Sequence, residues 1–287
     1  MSSKSDLMKH QRRWAASAGV PADSRGYVQA VDENLFQPLS ESTRLAFERG
    51  SGSELQDTDS KPAKMRALHS SSALAVNFFD RWVGIDASPL CNALHLRAEI
   101  SSIAFEGQCP TGLGGIPPNL DVLLELTDSH VIGIESKFSE WLTKKTKNKG
   151  SFKSKYFDTD VGRWSALGLT RAQELAEQIH TGEIYFDYLD APQLLKHALG
   201  LATQFGQNFS LEYVYLDWPG PESEIHRAET DRFSSSVDES LRFRAYSYNE
   251  LLGFLADTGS VDGDYISYLR ERYMVTVDRA RSSSGSS

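Results

Sequence analysis

The chain has 287 residues, with 30 Lys and Arg against 39 Asp and Glu, a formal net charge of −9 and 40% hydrophobic residues. That length suits one elaborated domain or two small ones, and the acidic balance excludes a broadly basic nucleic-acid binder while leaving room for a local basic groove. No run of 18 apolar residues offers a membrane span, the first residues lack the apolar stretch of a signal peptide, and two cysteines, Cys91 and Cys109, make neither a disulfide framework nor a zinc site, so a cytoplasmic protein with buried thiols is expected.

Residues 1–68 are polar and mixed, and read as a partly helical arm. A helix is expected over 5–18, carrying Arg12, Arg13 and Trp14, and another over 40–49, capped by Ser40 or Ser42. Residues 50–61 read as loop, and packing on the core is expected of the arm before any contact with nucleic acid. From Ser70 a helix runs through Trp82, with Leu74, Phe78 and Trp82 four residues apart on one face. An apolar stretch over 89–96 follows, and 100–105 reads as the first core strand, ending at Glu106. The glycine- and proline-rich segment 107–119 is a shaped loop; its Gly112, Gly114 and Gly115 do not sit between a strand and a helix as a nucleotide fingerprint requires.

Residues 116–141 carry the chemistry. Two apolar runs, 120–126 and 131–138, flank Thr127, Asp128, Ser129 and His130 and read as a β-hairpin. Asp121, Glu135 and Lys137 interrupt these runs, and a charge in a buried strand is costly unless it is paired or binds a metal. Glu135 and Lys137 share a face by alternation. Asp121 joins them only if it sits opposite Glu135, which needs a three-residue loop of Thr127 to Ser129; a two-residue loop would put it opposite Ser136. Two carboxylates so placed repel each other and suit a hard cation such as Mg²⁺. A lysine beside them can hold or deprotonate an attacking water and offset charge building on a phosphate.

Beyond this stretch, residues 144–155 hold six lysines and no acid: Lys144, Lys145, Lys147, Lys149, Lys153 and Lys155. A flexible basic loop of this kind suits phosphate contact. An amphipathic helix is expected over 169–180, capped at Thr170, and another from Asp190 or Ala191 to Gln204, on which Gln193, Lys196 and His197 share a face. A strand is expected over 211–218, a short one over 243–247, then helices over 248–255 and 266–272, and a disordered tail.

Asp121, thirteen intervening residues and then Glu135-Ser136-Lys137 resemble the signature of the PD-(D/E)XK nuclease superfamily, of restriction-endonuclease-like fold. The residue before Asp121 is Leu120; the prolines lie earlier, at Pro117 and Pro118. The resemblance covers residues 69–218 and implies an α/β core, a mixed central β-sheet flanked by helices, with residues 1–68 and 219–287 as N- and C-terminal elaborations. It implies Mg²⁺-dependent hydrolysis of double-stranded DNA, with Asp121, Glu135 and the carbonyl of Ser136 on the metal and Lys137 at the water. Glu106 is the expected third acidic ligand, with Glu99 its competitor, and Gln193 matches a helical residue that points at the active site. A type II-like restriction endonuclease is the leading expectation, against a structure-specific repair or recombination nuclease and a non-catalytic DNA-binding module. Cutting both strands of a palindrome in one encounter needs two sites, hence a homodimer. The cluster Tyr246, Tyr248, Leu252, Phe254, Tyr265 and Tyr268 is the expected source of its apolar surface.

Overall fold

A computed structural model describes residues 2–50, 53–145, 152–237 and 240–275. The chain opens with α1 (Ser3–Ser17) and α2 (Glu41–Arg49), followed by α3 (Ser71–Phe79) and α4 (Ser88–Ala93). An antiparallel meander comes next: β1 (Ile100–Gln108), β2 (Asn119–Leu126) and β3 (Val131–Lys137). Helices α5 (Thr170–Thr181) and α6 (Ala191–Phe205) cross over to β4 (Phe209–Tyr215), which pairs parallel to β3. Helix α7 (Pro221–Val237) crosses to β5 (Phe243–Ser247), parallel to β4, and α8 (Tyr248–Asp257) and α9 (Gly263–Tyr273) close the chain. The result is one mixed five-stranded sheet in the order β1-β2-β3-β4-β5, flanked by helices.

Local chemistry sets the helix starts. Ser40, Ser70 and Asp190 each accept the amide of the residue three positions on, and Ser247 and Glu250 form a reciprocal capping box for α8. Thr170 is not a cap; it is the first residue of α5, and Leu169 before it makes no side-chain cap. Strand β3 is buried along all but its last residue, as a central strand with parallel and antiparallel neighbours must be. Helix α6 lies over it and over β4, and buries nine of its fifteen residues. Two glycines permit that closeness. A Cβ on Gly133 would stand 2.7 Å from Leu201, and one on Gly200 only 2.2 Å from the carbonyl oxygen of Cys109.

One apolar core runs from Leu7 in α1 to Tyr273 in α9. The N-terminal arm packs on it: Gln11 donates to the Arg272 carbonyl at 2.6 Å, and Ser3 donates to Glu222 at 2.5 Å. The sheet extends past residue 218, since β5 lies at its edge. Two features depart from expectation. Helix α7 has no counterpart in the sequence reading, because its one stripe of buried residues includes Ser223, His226, Glu229 and Thr230. The C-terminal aromatics are largely core: Tyr248, Leu252 and Tyr265 are buried and Tyr246 and Tyr268 half-buried, which leaves only Phe254 exposed and removes the apolar face assigned to a dimer. Residues 146–151, with Lys147 and Lys149, lie outside the described residues. Among the described residues no helix is long and apolar enough to cross a membrane.

Candidate active site

The turn between β2 and β3 fixes the site. Leu126 donates to the carbonyl of His130 at 2.9 Å, which leaves Thr127, Asp128 and Ser129 as a three-residue loop, and Ser129 takes the left-handed conformation with φ 66°. A three-residue hairpin loop needs that conformation. The ladder then runs Glu125↔Val131, Leu124↔Ile132, Leu123↔Gly133 and Val122↔Ile134, so the next rung sets Asp121 opposite Glu135. The Ser136 amide donates to Asp121 Oδ2 at 2.7 Å. The Ser136 hydroxyl faces the other side of the sheet, 2.7 Å from the Tyr248 hydroxyl.

Glu135 is 2% exposed and lies against the Lys137 ammonium and the His197 imidazole. Lys137 Nζ contacts its Oε1, and His197 Nε2 of α6 lies 2.9 Å from its Oε2. The imidazole is close enough to pair but is not aligned for a hydrogen bond, so Glu135 Oε2 and both His197 ring nitrogens lack a hydrogen-bond partner among the described residues. Burial alone would raise the Glu135 carboxyl, but Lys137 and His197 outweigh it and bring it down to about 2. Burial and the Glu135 charge together push Asp121 well above the usual carboxylate range, against the pull of Lys137 and the Ser136 amide. Burial works against the Lys137 ammonium too, yet Glu135, Asp121 and Glu140 hold it above the ordinary lysine value. The three groups therefore form one ionised carboxylate, one carboxyl that resists ionising, and one firmly charged ammonium.

This donor set fits a divalent cation. The mutual repulsion that raises Asp121 is what a cation between two carboxylates relieves, and Glu135 retains a buried oxygen without an aligned donor. A third acidic side chain does not complete the set. No group of three His, Cys, Asp or Glu side chains among the described residues is arranged to hold a metal. Glu106 sits in β1 across from Asp121, but its backbone is left-handed with φ 53° and its carboxylate accepts from Asn119 at 3.0 Å. Burial raises its pKa. Glu99 is exposed outside the sheet.

The remaining expected residues are distributed as follows. Gln193 stands one turn before His197 on α6, half-buried, and its side chain bonds neither carboxylate. Of the lysines, Lys144 pairs with Asp187 at 2.9 Å and Lys145 with Asp190 at 3.1 Å. Lys155 donates to the carbonyls of Leu113 and Gly114, at 3.0 and 2.8 Å, and so ties the basic segment to the glycine-rich loop beside the site. Lys153 is exposed. Two contributors escaped the sequence reading. His197 was legible only as a member of a polar face on a helix, with nothing to select it over Gln193. Glu140 follows the ExK strand and accepts the Phe138 amide at 2.8 Å while adding negative field at Lys137.

Compared with curated proteins and with solved structures, the chain finds no match. A family model described as "Restriction Endonuclease associating with ARP" matches residues 4–274, nearly the whole chain. The match agrees with the mixed sheet, with a nuclease-like role and with DNA as the partner. By its sheet and by that match, this chain belongs to the REase-ARP family and has the restriction-endonuclease-like fold.

Proposed function

We propose that the protein is a Mg²⁺-dependent endodeoxyribonuclease of type II-like restriction character, hydrolysing phosphodiester bonds of double-stranded DNA. One observation carries the reading: Asp121 and Glu135 face each other across the hairpin with Lys137 on the same face. In this reading Asp121 and Glu135, with the main-chain carbonyl of Ser136, hold the cation. The cation when bound supplies Lewis-acid polarisation of the scissile phosphate and its water. Lys137 orients the attacking water and offsets the charge that builds on the phosphate. His197 fixes the Glu135 carboxylate from the α6 side. Glu106 is a further acid within electrostatic reach of the site, and Gln193 stands half-buried one turn before His197 on α6. The segment with Lys144, Lys145, Lys147, Lys149, Lys153 and Lys155 contacts the backbone of the duplex, and the family description adds ARP as an associated partner. Incubation with a panel of plasmid and phage DNAs and Mg²⁺ tests the reading. Discrete bands support restriction, a smear supports a nuclease that reads no sequence, and uncut DNA under all conditions removes the proposal.

A further inference from the structure

A charged cavity lies at the end of the sheet opposite the carboxylates. Its volume is about 490 Å³, and its wall includes Arg97, Arg242, Arg244, His95, His130 and Asp128. Ile132, at the start of β3, also lines it, whereas the carboxylates and Lys137 lie at that strand's other end. From Ile132 to Lys137 an extended strand rises about 16 Å, at ~3.3 Å per residue. The two sites also open on different faces, since Ile132 and Glu135 alternate across β3.

The polar groups of this cavity are unequally committed. Arg244 donates to the buried Glu212 carboxylate at 2.7 Å. The His130 ring sits between Asn208 and Ser210, at 3.2 Å from each, and the His95 ring meets the edge of Phe254. Asp128 is used by the turn, where it accepts the His130 amide at 3.0 Å. Arg97 and Arg242 remain: both are exposed, and although the Arg242 carbonyl accepts the Leu211 amide at 3.0 Å, neither guanidinium has a hydrogen-bond or ion-pair partner among the described residues. In a chain of net charge −9, the guanidinium groups of Arg97, Arg242 and Arg244 line one concavity and make it a local positive patch, although Asp128 stands on the same wall. A guanidinium presents a planar fork that matches phosphate oxygens two at a time, so phosphate is the anion this wall suits best.

We propose that the cavity lined by Arg97, Arg242 and Arg244 is a second ligand site that binds a phosphate group, apart from the hydrolytic site. Arg97 and Arg242 grip the phosphate, and Arg244, oriented by Glu212, supplies the positive floor. The volume admits a nucleotide-sized ligand as readily as one backbone phosphate of a DNA segment passing this end of the sheet. Because the site lies away from Asp121 and Glu135, its occupancy does not depend on the hydrolytic residues.

Titration calorimetry with pyrophosphate in metal-free buffer tests this directly, on the full chain. The wild type and Asp121→Ala bind one pyrophosphate with the same affinity, and the double variant Arg97→Ala/Arg242→Ala binds at least tenfold more weakly with an unchanged circular dichroism spectrum. A short DNA duplex and ADP, each added as competitor, then separate the two sources: displacement by duplex alone assigns the site to the DNA backbone, and displacement by ADP alone to a free nucleotide. No binding to the wild type, equal binding by the arginine variant, or loss of binding in Asp121→Ala overturns the proposal. The outcome stands apart from the nuclease reading, which this titration does not probe.

Discussion

Glu135 draws its ionised state from two elements, Lys137 two residues along its own strand and His197 from the helix above. His197 is buried, so removing its ring leaves a void beside the Glu135 carboxylate, and truncating a buried side chain costs about 2–5 kcal/mol. His197→Ala should therefore lower stability in urea by about 2 kcal/mol and slow DNA cleavage at least tenfold. A variant that cuts at the wild-type rate would make His197 a packing residue only. A second buried acid makes a separate prediction. Glu212 is fully buried, and desolvation, only partly offset by Arg244, raises its carboxyl from 4.5 to about 7. Between those pH values the folded chain holds a proton that the unfolded chain has released. Its contribution to stability therefore falls as pH rises from 4.5 to about 7, and levels off above that. The full loss is on the order of 3 kcal/mol, at 1.36 kcal/mol per pH unit. Glu212→Gln should flatten this part of the stability–pH curve, measured by denaturant unfolding at several pH values. An unaltered slope would place the titration elsewhere.

At the scale of elements, the hairpin and α6 together make the site. The hairpin was legible because strand alternation is strict: once the three-residue loop closes, Asp121 falls opposite Glu135 without further information. The approach of α6 was not legible, because it depends on which glycines lack a Cβ and where. Gly200→Ala would drive a methyl against the Cys109 carbonyl, a backbone atom that cannot rotate away. Overpacking of this kind costs about 1–3 kcal/mol, and it also lifts His197 from Glu135. We expect that variant to lose activity by more than its lowered melting temperature explains; wild-type activity with a lowered melting temperature would uncouple helix position from the site. Helix α7 was missed for a physical reason as well. Its inward face includes Glu229, which accepts the amides of Asp187, Tyr188 and Leu189, so a polar residue does the anchoring that an apolar stripe usually does.

For the molecule as a whole, the strands and the mixed character of the sheet were within reach of the sequence, while their order, each beside the preceding one, comes from the structure. The limits of the core were not. Leu7 and Tyr273 join one apolar cluster although some 266 positions separate them, and a linear reading has no signal for the packing of α1 on α9. Tyr248 and Tyr265 look like surface aromatics in a polar C-terminal region, yet each finds a buried partner, Ser136 for one hydroxyl and the Phe78 carbonyl for the other. Two-fold symmetry of a palindromic target still argues for two copies on DNA. Light scattering should give a mass near two chains when the target duplex and Ca²⁺ in place of Mg²⁺ are present. A single chain on DNA, nicking one strand, would favour a repair-type nuclease over a restriction enzyme.

In the proposed reaction Asp121 and Glu135, with Lys137, hydrolyse DNA with a divalent cation. Its most direct test is plasmid cleavage by wild type, Asp121→Ala and Glu135→Ala at matched Mg²⁺, with folding checked by circular dichroism. The wild type should cut with Mg²⁺ and stop on addition of a chelator, and both folded variants should leave the plasmid intact. Cleavage at the wild-type rate by either variant would contradict the assignment.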